Sequence, residues 1–519
     1  MSNCWREASA VGALCLIAVT ACARAVTVES GVIEGVEKDG LTIYMGVPFA
    51  APPLGELRWR EPQPVAHWTG TRNATSFAPA CMQNGVSMPG EKPPAVSEDC
   101  LYLNIWTPAK AADERLPVIV WIHGGGYTNG SASMPLYWGD QLAQRGVIVV
   151  TIAYRLGPLG WLAHADLTKE SAKKSSGNYG LLDQIAALEW IQRNIAAFGG
   201  DRERVTIAGQ SSGAMSVSML MASPRVRGLF HRAIGQSGGV FEPVQIAPSY
   251  LLENAERDGK DYVASLRADS IAALRKRPAA DLMGGTAGSV SHPVIEPYVL
   301  PAGPYDAFVS GSYNDVPVLV GFNAEEARAL ANVESVKAAT FAADVERMFG
   351  PLPPPIMDAY PHATDAQARQ ARLDLERDLR FGWDMWAWAR LQAQSGQGHV
   401  YFYHFMKTPP FPEGSVHDGW GASHFAELWY MFDHLDQETW AWSAADRQLA
   451  ALMANYWTNF AKRGDPNGAD LPRWPAFDDK SEMLHLDDSV WVGGVPGTQT
   501  LQVFDAVYNA VRGKPFGAR

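Results

Sequence analysis

Gly209-Gln210-Ser211-Ser212-Gly213 fits the pattern Gly-x-Ser-x-Gly, and its surroundings supply the context that the pattern demands. A β-rich run, Val205 to Ala208, precedes it, and helix-capable sequence, Ala214 to Met221, follows. A sharp strand-to-helix turn holds the central serine in a strained conformation and lifts its oxygen clear of the backbone, while small flanking glycines avoid a clash. Ser211 is therefore a candidate nucleophile for acyl transfer, and the amides that open the following helix can stabilise an oxyanion. A second copy, Gly235-Gln236-Ser237-Gly238-Gly239, also follows a strand, but Pro243 and Pro248 bar a regular helix after it. Ser237 is read as a buried structural serine.

Upstream, Trp121-Ile122-His123-Gly124-Gly125-Gly126-Tyr127 reads as a strand ending in a glycine loop. Such glycines present bare N–H groups to a substrate carbonyl, which side chains would block. A serine nucleophile also needs a base and an acid that orients it, in the chain order serine, acid, histidine. His362, His399, His404, His417, His424, His434 and His485 obey that order, and order alone does not choose among them. His399, His404 and His434 read as packed or surface residues. For the acid, Glu325 and Glu326 follow the apolar run Val316 to Val320, at the strand end where an open α/β sheet carries its site.

The elements that must position these residues are legible as texture. Val118 to Ile122, Val147 to Ile152, Val205 to Ala208, Ala233 to Gly235 and Val316 to Val320 are short runs apolar on both faces, the mark of buried parallel strands. Leu181, Leu182, Ile185, Leu188, Ile191 and Ile195 recur at helical spacing before a stop at Gly199-Gly200. Alternating strand and helix predicts a doubly wound, mostly parallel α/β sheet. Val32 to Val36 and Leu41 to Val47 flank the turn Lys38-Asp39-Gly40 and predict an entry hairpin. The Pro-rich stretch from Pro48 to Glu98 predicts irregular surface, and Pro243 to Asp315 and Glu334 to Gly398 read as less regular insertions over the strand ends.

A formal net charge of −12 leaves no basic footprint for nucleic acid, and 18 tryptophans leave aromatic surface for a pocket after the core is filled. Trp138, Phe381 and Phe425 are candidates to line it, although core packing is the more ordinary role for any one of them. Arg6, the apolar run Val11 to Ala21 and Ala23-Arg24-Ala25 read as an export signal over residues 1–25, too short for a stable membrane span. Residues 26–519 then form one domain, exported to a periplasm or the exterior. Val19-Thr20-Ala21-Cys22 offers a rival reading, lipid anchoring at Cys22, disfavoured because strand-like sequence begins by Thr27 with no tether. Without the signal only Cys81 and Cys100 remain, and an even pair in an exported chain predicts a disulfide.

These residues together resemble the type-B carboxylesterases, which include cholinesterases and bacterial para-nitrobenzyl esterases. The markers are Phe198-Gly199-Gly200 with Asp201 to Arg204, Val205-Thr206-Ile207-Ala208, the Ser211 elbow, and Glu98-Asp99-Cys100-Leu101-Tyr102-Leu103-Asn104. The resemblance implies an α/β-hydrolase fold and a serine esterase acting through an acyl-enzyme on small, broad or aromatic-leaning esters, with no cofactor and no metal. It also implies Glu326 as the acid, five residues after Gly321, and His424 as the base, within Gly421 to Leu428. Gly125, Gly126 and Ser212 become the oxyanion donors, and Cys81 pairs with Cys100. Gln210 stands where glutamate is common before the nucleophile, and Ala327 replaces a glycine after the acid. No tryptophan lies between Cys81 and Cys100, so the cation–π site for choline esters is missing. The alternatives are a specialised hydrolase of carbamate, aromatic or polyester-type esters, and a catalytically silent adhesion module of the same fold. An intact set of serine, acid and histidine argues against the silent module.

Overall fold

A computed structural model describes residues 23–478 and 481–518. Its centre is a 13-stranded sheet. The strands Ile148–Ile152, Leu116–Ile122, Gly200–Gln210, Arg232–Gln236, Val318–Asn323, Val400–Phe405 and Glu482–Leu486 lie side by side in that order, all parallel. Strand residues alternate between two cores: Val118, Val120 and Ile122 face one, Ile119 and Trp121 the other. Both faces are covered, which is why the runs are continuously apolar. The Tyr179–Asn194 helix buries Leu181, Ile185, Leu188 and Ile191 against the first core. The Ala444–Arg463 helix buries Leu449, Met453, Trp457 and Phe460 against the second.

The chain runs from Leu116–Ile122 outward to one neighbour, Ile148–Ile152, and then crosses to the other, Gly200–Gln210. That reversal opens a crevice at the carboxyl ends of the strands, where ligands of doubly wound sheets bind. The glycine loop leaves one of these strands and Ser211 ends the next. The fold is the α/β-hydrolase fold.

The entry hairpin is present as Gly31–Lys38 paired with Leu41–Pro48. It is preceded by a strand, Ala23–Val28, which pairs along its whole length with Gly31 to Val36. Ala23, Arg24 and Ala25 thus belong to the sheet, and the Arg24 guanidinium donates to the carbonyls of Ala109 and Lys110. The rest of the signal reading, with Cys22, lies outside the described residues.

One expectation needs correcting. The segment from Glu334 to Gly398 is largely helical, with Asp365–Arg377 and Trp383–Ser395 as its main helices. Trp383–Ser395 packs on the Val318–Asn323 and Val400–Phe405 strands, so it is the crossover between two parallel strands as well as a cover. Its tryptophans, Trp383, Trp386 and Trp388, are all buried, on more than one face of the helix.

Cys81 and Cys100 are joined by a disulfide that closes the Pro-rich loop. Peptide mapping without reductant should recover the two cysteines linked. Replacing both by serine should cost about 3 kcal/mol in a denaturant titration, the loop-closure entropy of about twenty residues. Two free thiols in the native protein would contradict the linkage.

Candidate active site

Ser211 is the single residue between the Gly200–Gln210 strand and the Ser212–Ala222 helix. Its φ of 57° and ψ of −129° lie where a residue with a side chain is strained by about 1–3 kcal/mol. Hydrogen bonds fix the turn: the Ser211 amide donates to the Gln236 carbonyl at 2.9 Å, and the Ser211 carbonyl accepts from the Met215 amide at 3.0 Å. Close backbone crossings explain two of the glycines. A Cβ on Gly213 would lie 2.0 Å from the Ile122 carbonyl oxygen, and one on Gly238 would lie 2.3 Å from that of Ser211.

Gly209 is in register with Ile122, so the glycine loop runs alongside the serine turn. Gly125 and Gly126 have φ of 109° and 61°. Among the described residues no group accepts a hydrogen bond from either of their amides. His123 anchors the loop: its carbonyl accepts from the Tyr154 hydroxyl at 2.7 Å, and its ring stacks on Tyr154. Burial lowers the His123 pKa to about 4, so its Nδ1 is 2.8 Å from the Gly124 carbonyl as the N–H of a neutral ring. The Tyr127 amide reaches the Ser212 hydroxyl oxygen at 3.4 Å and ties the loop to the helix start.

Glu326 opens a short turn after Val318–Asn323 and is fully buried. One carboxylate oxygen accepts from the Asn323 amide at 2.7 Å, and the other lies 2.6 Å from His424 Nδ1. The His424 carbonyl accepts from the Gln210 side chain at 2.6 Å, so the residue before Ser211 clamps the histidine's backbone. Phe381 stacks on the imidazole with centroids 4.4 Å apart, and Phe425 meets it edge-on at 4.9 Å. Glu325 turns away, pairing with Arg328 and accepting from the Ala422 amide.

The other histidines have different partners. His434 bonds the Leu136 carbonyl and Asp140, and His404 packs between Phe322 and His485, where burial lowers its pKa to about 3. Of the three aromatic candidates, Phe381 and Phe425 reach His424, whereas Trp138 stacks on Phe77 in a separate core beside Trp106. Ser237 is buried, with its hydroxyl unpartnered and its amide bonded to the Gly321 carbonyl.

A second buried glutamate escaped the sequence reading. Glu427 takes 2.5 Å and 3.2 Å hydrogen bonds from the side-chain amides of Asn323 and Gln236, and Gln236 in turn accepts from Trp457. Burial and the neighbouring Glu326 charge push the Glu427 pKa up to about 8, so at neutral pH it is a protonated acid beneath the Glu326–His424 pair. Asn323 touches both carboxyls, and its side chain also donates to the Ser423 carbonyl. The available signal was spacing: Glu427 lies three residues beyond His424, and Asn323 three before Glu326.

A hydroxyl on a strained elbow, a loop with free amides and a buried carboxylate–imidazole pair meet at one sheet end, and this combination defines a serine hydrolase of the α/β-hydrolase class. The chain belongs to the carboxylesterase family, whose model matches residues 23–502. It is 37% identical over 487 residues to a fumonisin B1 esterase of Sphingopyxis macrogoltabida, covering 90% of this chain and 86% of that one. It is 33% identical to the para-nitrobenzyl esterase of Bacillus subtilis (strain 168), covering 92% and 97% of the two chains. A solved PNB esterase structure superposes with a TM-score of 0.80 at 31% identity, over 93% of this chain and 99% of that one. The protein is a carboxylic-ester hydrolase, and no helix of the described residues is long and apolar enough to cross a membrane.

The Glu427 carboxyl makes a testable contribution to stability. Its folded pKa lies above its unfolded one, so the unfolded chain ionises first, and stability is lost as pH rises from about 4.3 to about 8. Glu427→Gln removes this term. Melting temperatures across that range should show the variant gaining on the wild type with rising pH, and parallel curves would refute the buried neutral acid.

Proposed function

We propose that Ser211, His424 and Glu326 are the catalytic triad, with Gly125, Gly126 and Ser212 as oxyanion donors. The Ser211 hydroxyl attacks the ester carbonyl and passes its proton to His424, while Glu326 holds the imidazole at Nδ1 and stabilises its cationic form. The three amides stabilise the tetrahedral oxyanion. The proton on His424 then goes to the departing alcohol, leaving an acyl-enzyme. Water repeats the cycle: His424 takes its proton, the acid departs, and the proton returns to Ser211. The observation that carries this reading is the buried 2.6 Å contact between His424 and Glu326 at the same strand ends as the strained Ser211 turn.

We also propose that the substrates are small esters, accepted broadly or with an aromatic leaning. Phe381 and Phe425 flank the imidazole, so the surroundings of the base are aromatic and apolar. One of the relatives is named for a para-nitrobenzyl ester, whose benzyl group is aromatic, and another for fumonisin B1. A specialised hydrolase of carbamate, aromatic or polyester-type esters is the second reading. Export with removal of residues 1–25, leaving residues 26–519 as one domain, accords with the Cys81–Cys100 disulfide, and would shorten the Ala23–Val28 strand to its last three residues. In the rival reading a lipid on Cys22 would hold the protein at a membrane.

Ser211→Ala and His424→Ala should each lower kcat on para-nitrophenyl esters by at least about 10⁴-fold while leaving far-UV circular dichroism unchanged. Retention of a tenth or more of wild-type activity by either variant would refute these roles.

A further inference from the structure

The segment that follows Ser237 leads from the Ser211 turn to a cavity. Gly238 packs on the Ser211 carbonyl, and a Cβ on Gly239 would lie 3.0 Å from the Asp384 Cβ. Four residues after Gly238, Glu242 lines a cavity of about 420 Å³ together with Tyr250, Tyr305, Asp306, Arg512 and Lys514. The distance from Gly238 to Glu242 cannot exceed about 14 Å even in a fully extended chain. Val240, two residues after Gly238, also lines the cavity, which places it close to the Ser211 turn. Behind Glu242, Asp384 is three residues beyond Phe381, the residue stacked on His424.

The polar groups of this cavity are held by buried contacts. Asp384 accepts from the Phe241 amide at 3.1 Å and faces Glu242. Burial raises the pKa of both carboxyls, and that of Asp384 further because it also meets Glu242, so Asp384 is the protonated donor and Glu242 the acceptor of the pair. Arg512 stacks over Tyr305 at 3.5 Å and donates through one nitrogen to the Phe241 carbonyl. Its other terminal nitrogen, Nη1, is buried with no hydrogen-bond partner among the described residues. One acceptor and one donor therefore flank the same space without forming an ion pair with each other.

We propose that this cavity is a polar subsite of the esterase, in which Glu242 and Arg512 bind a hydroxyl-bearing portion of the substrate. A hydroxyl is the one simple group that donates to the carboxylate and accepts from the guanidinium at once. The charges on the lining residues cancel, Glu242 and Asp306 against Arg512 and Lys514, which gives no net attraction for an ammonium or a carboxylate. An alkyl group in the same position would leave both polar groups desolvated and unpaired, the situation in which enzymes discriminate most strongly. The hydroxyl can come from either side of the ester, a hydroxylated acid or a polyol alcohol.

The inference rests on the esterase reading, and the test separates the two. Purified full-length protein is assayed with propyl butanoate against 2,3-dihydroxypropyl butanoate for the alcohol side. Propyl butanoate against propyl 3-hydroxybutanoate tests the acyl side. In one of the two arms kcat/KM should favour the hydroxylated ester by at least about tenfold. That ratio should fall towards unity in Glu242→Leu and in Arg512→Leu. Glu242→Gln, which keeps the shape and protects the fold, should lower it by about two- to fivefold. Turnover with ratios near one in both arms would overturn the subsite, as would a ratio that none of the variants moves or a preference for a matched ammonium or carboxylate ester. No turnover of any ester would instead refute the esterase reading.

Discussion

The structure depends on one strained residue. Ser211 sits at a positive φ that the chain adopts only because neighbouring backbone holds it there. The surrounding packing follows from that need. The Gly200–Gln210 strand lies between Leu116–Ile122 and Arg232–Gln236, so backbone approaches the turn from both sides. Gly213 and Gly238 stand where any side chain would meet a carbonyl, and the Gln236 carbonyl receives the Ser211 amide. The reversal of strand order at Leu116–Ile122 opens the crevice above this point.

Burial makes the electrostatics around the turn matter. Glu326 has no exposure, and its charge is met by His424 and by the Asn323 amide. A second ionised carboxylate in that space would be opposed by the first, and Glu427 is accordingly kept protonated within a shell of side-chain amides. Gln210 fits the same logic. A neutral amide at this position can donate to the His424 carbonyl, which a carboxylate cannot, so the departure from the commoner glutamate gives the histidine a fixed backbone.

Much of this was legible in the sequence because it is local. The elbow, the glycine loop and the parallel strands each declare themselves within ten residues, through glycine spacing and continuous apolar runs. Glu326 and His424 were less so: residue types and chain order left Glu325 and six other histidines open, and only the family resemblance chose between them. Trp138 packs in a core, the alternative that sequence left open for it, because an aromatic side chain carries the same signal in a core as in a pocket. The helix Trp383–Ser395 was hidden because it is apolar on nearly all faces, which removes the amphipathic period that marks a helix. The Glu242–Asp384 contact joins residues far apart in the chain, and neither neighbourhood hints at the other.

Two serines share the same five-residue pattern, and the central claim is that backbone geometry makes only Ser211 a nucleophile. Ser237 also has a positive φ, but it is fully buried and no helix begins after it, whereas Ser211 is partly accessible at a helix start. Treating the native protein with a fluorophosphonate and sequencing the labelled peptide by mass spectrometry tests this directly. The account predicts one adduct per chain, on Ser211. An adduct on Ser237, or none on either serine in protein that hydrolyses esters, would contradict it.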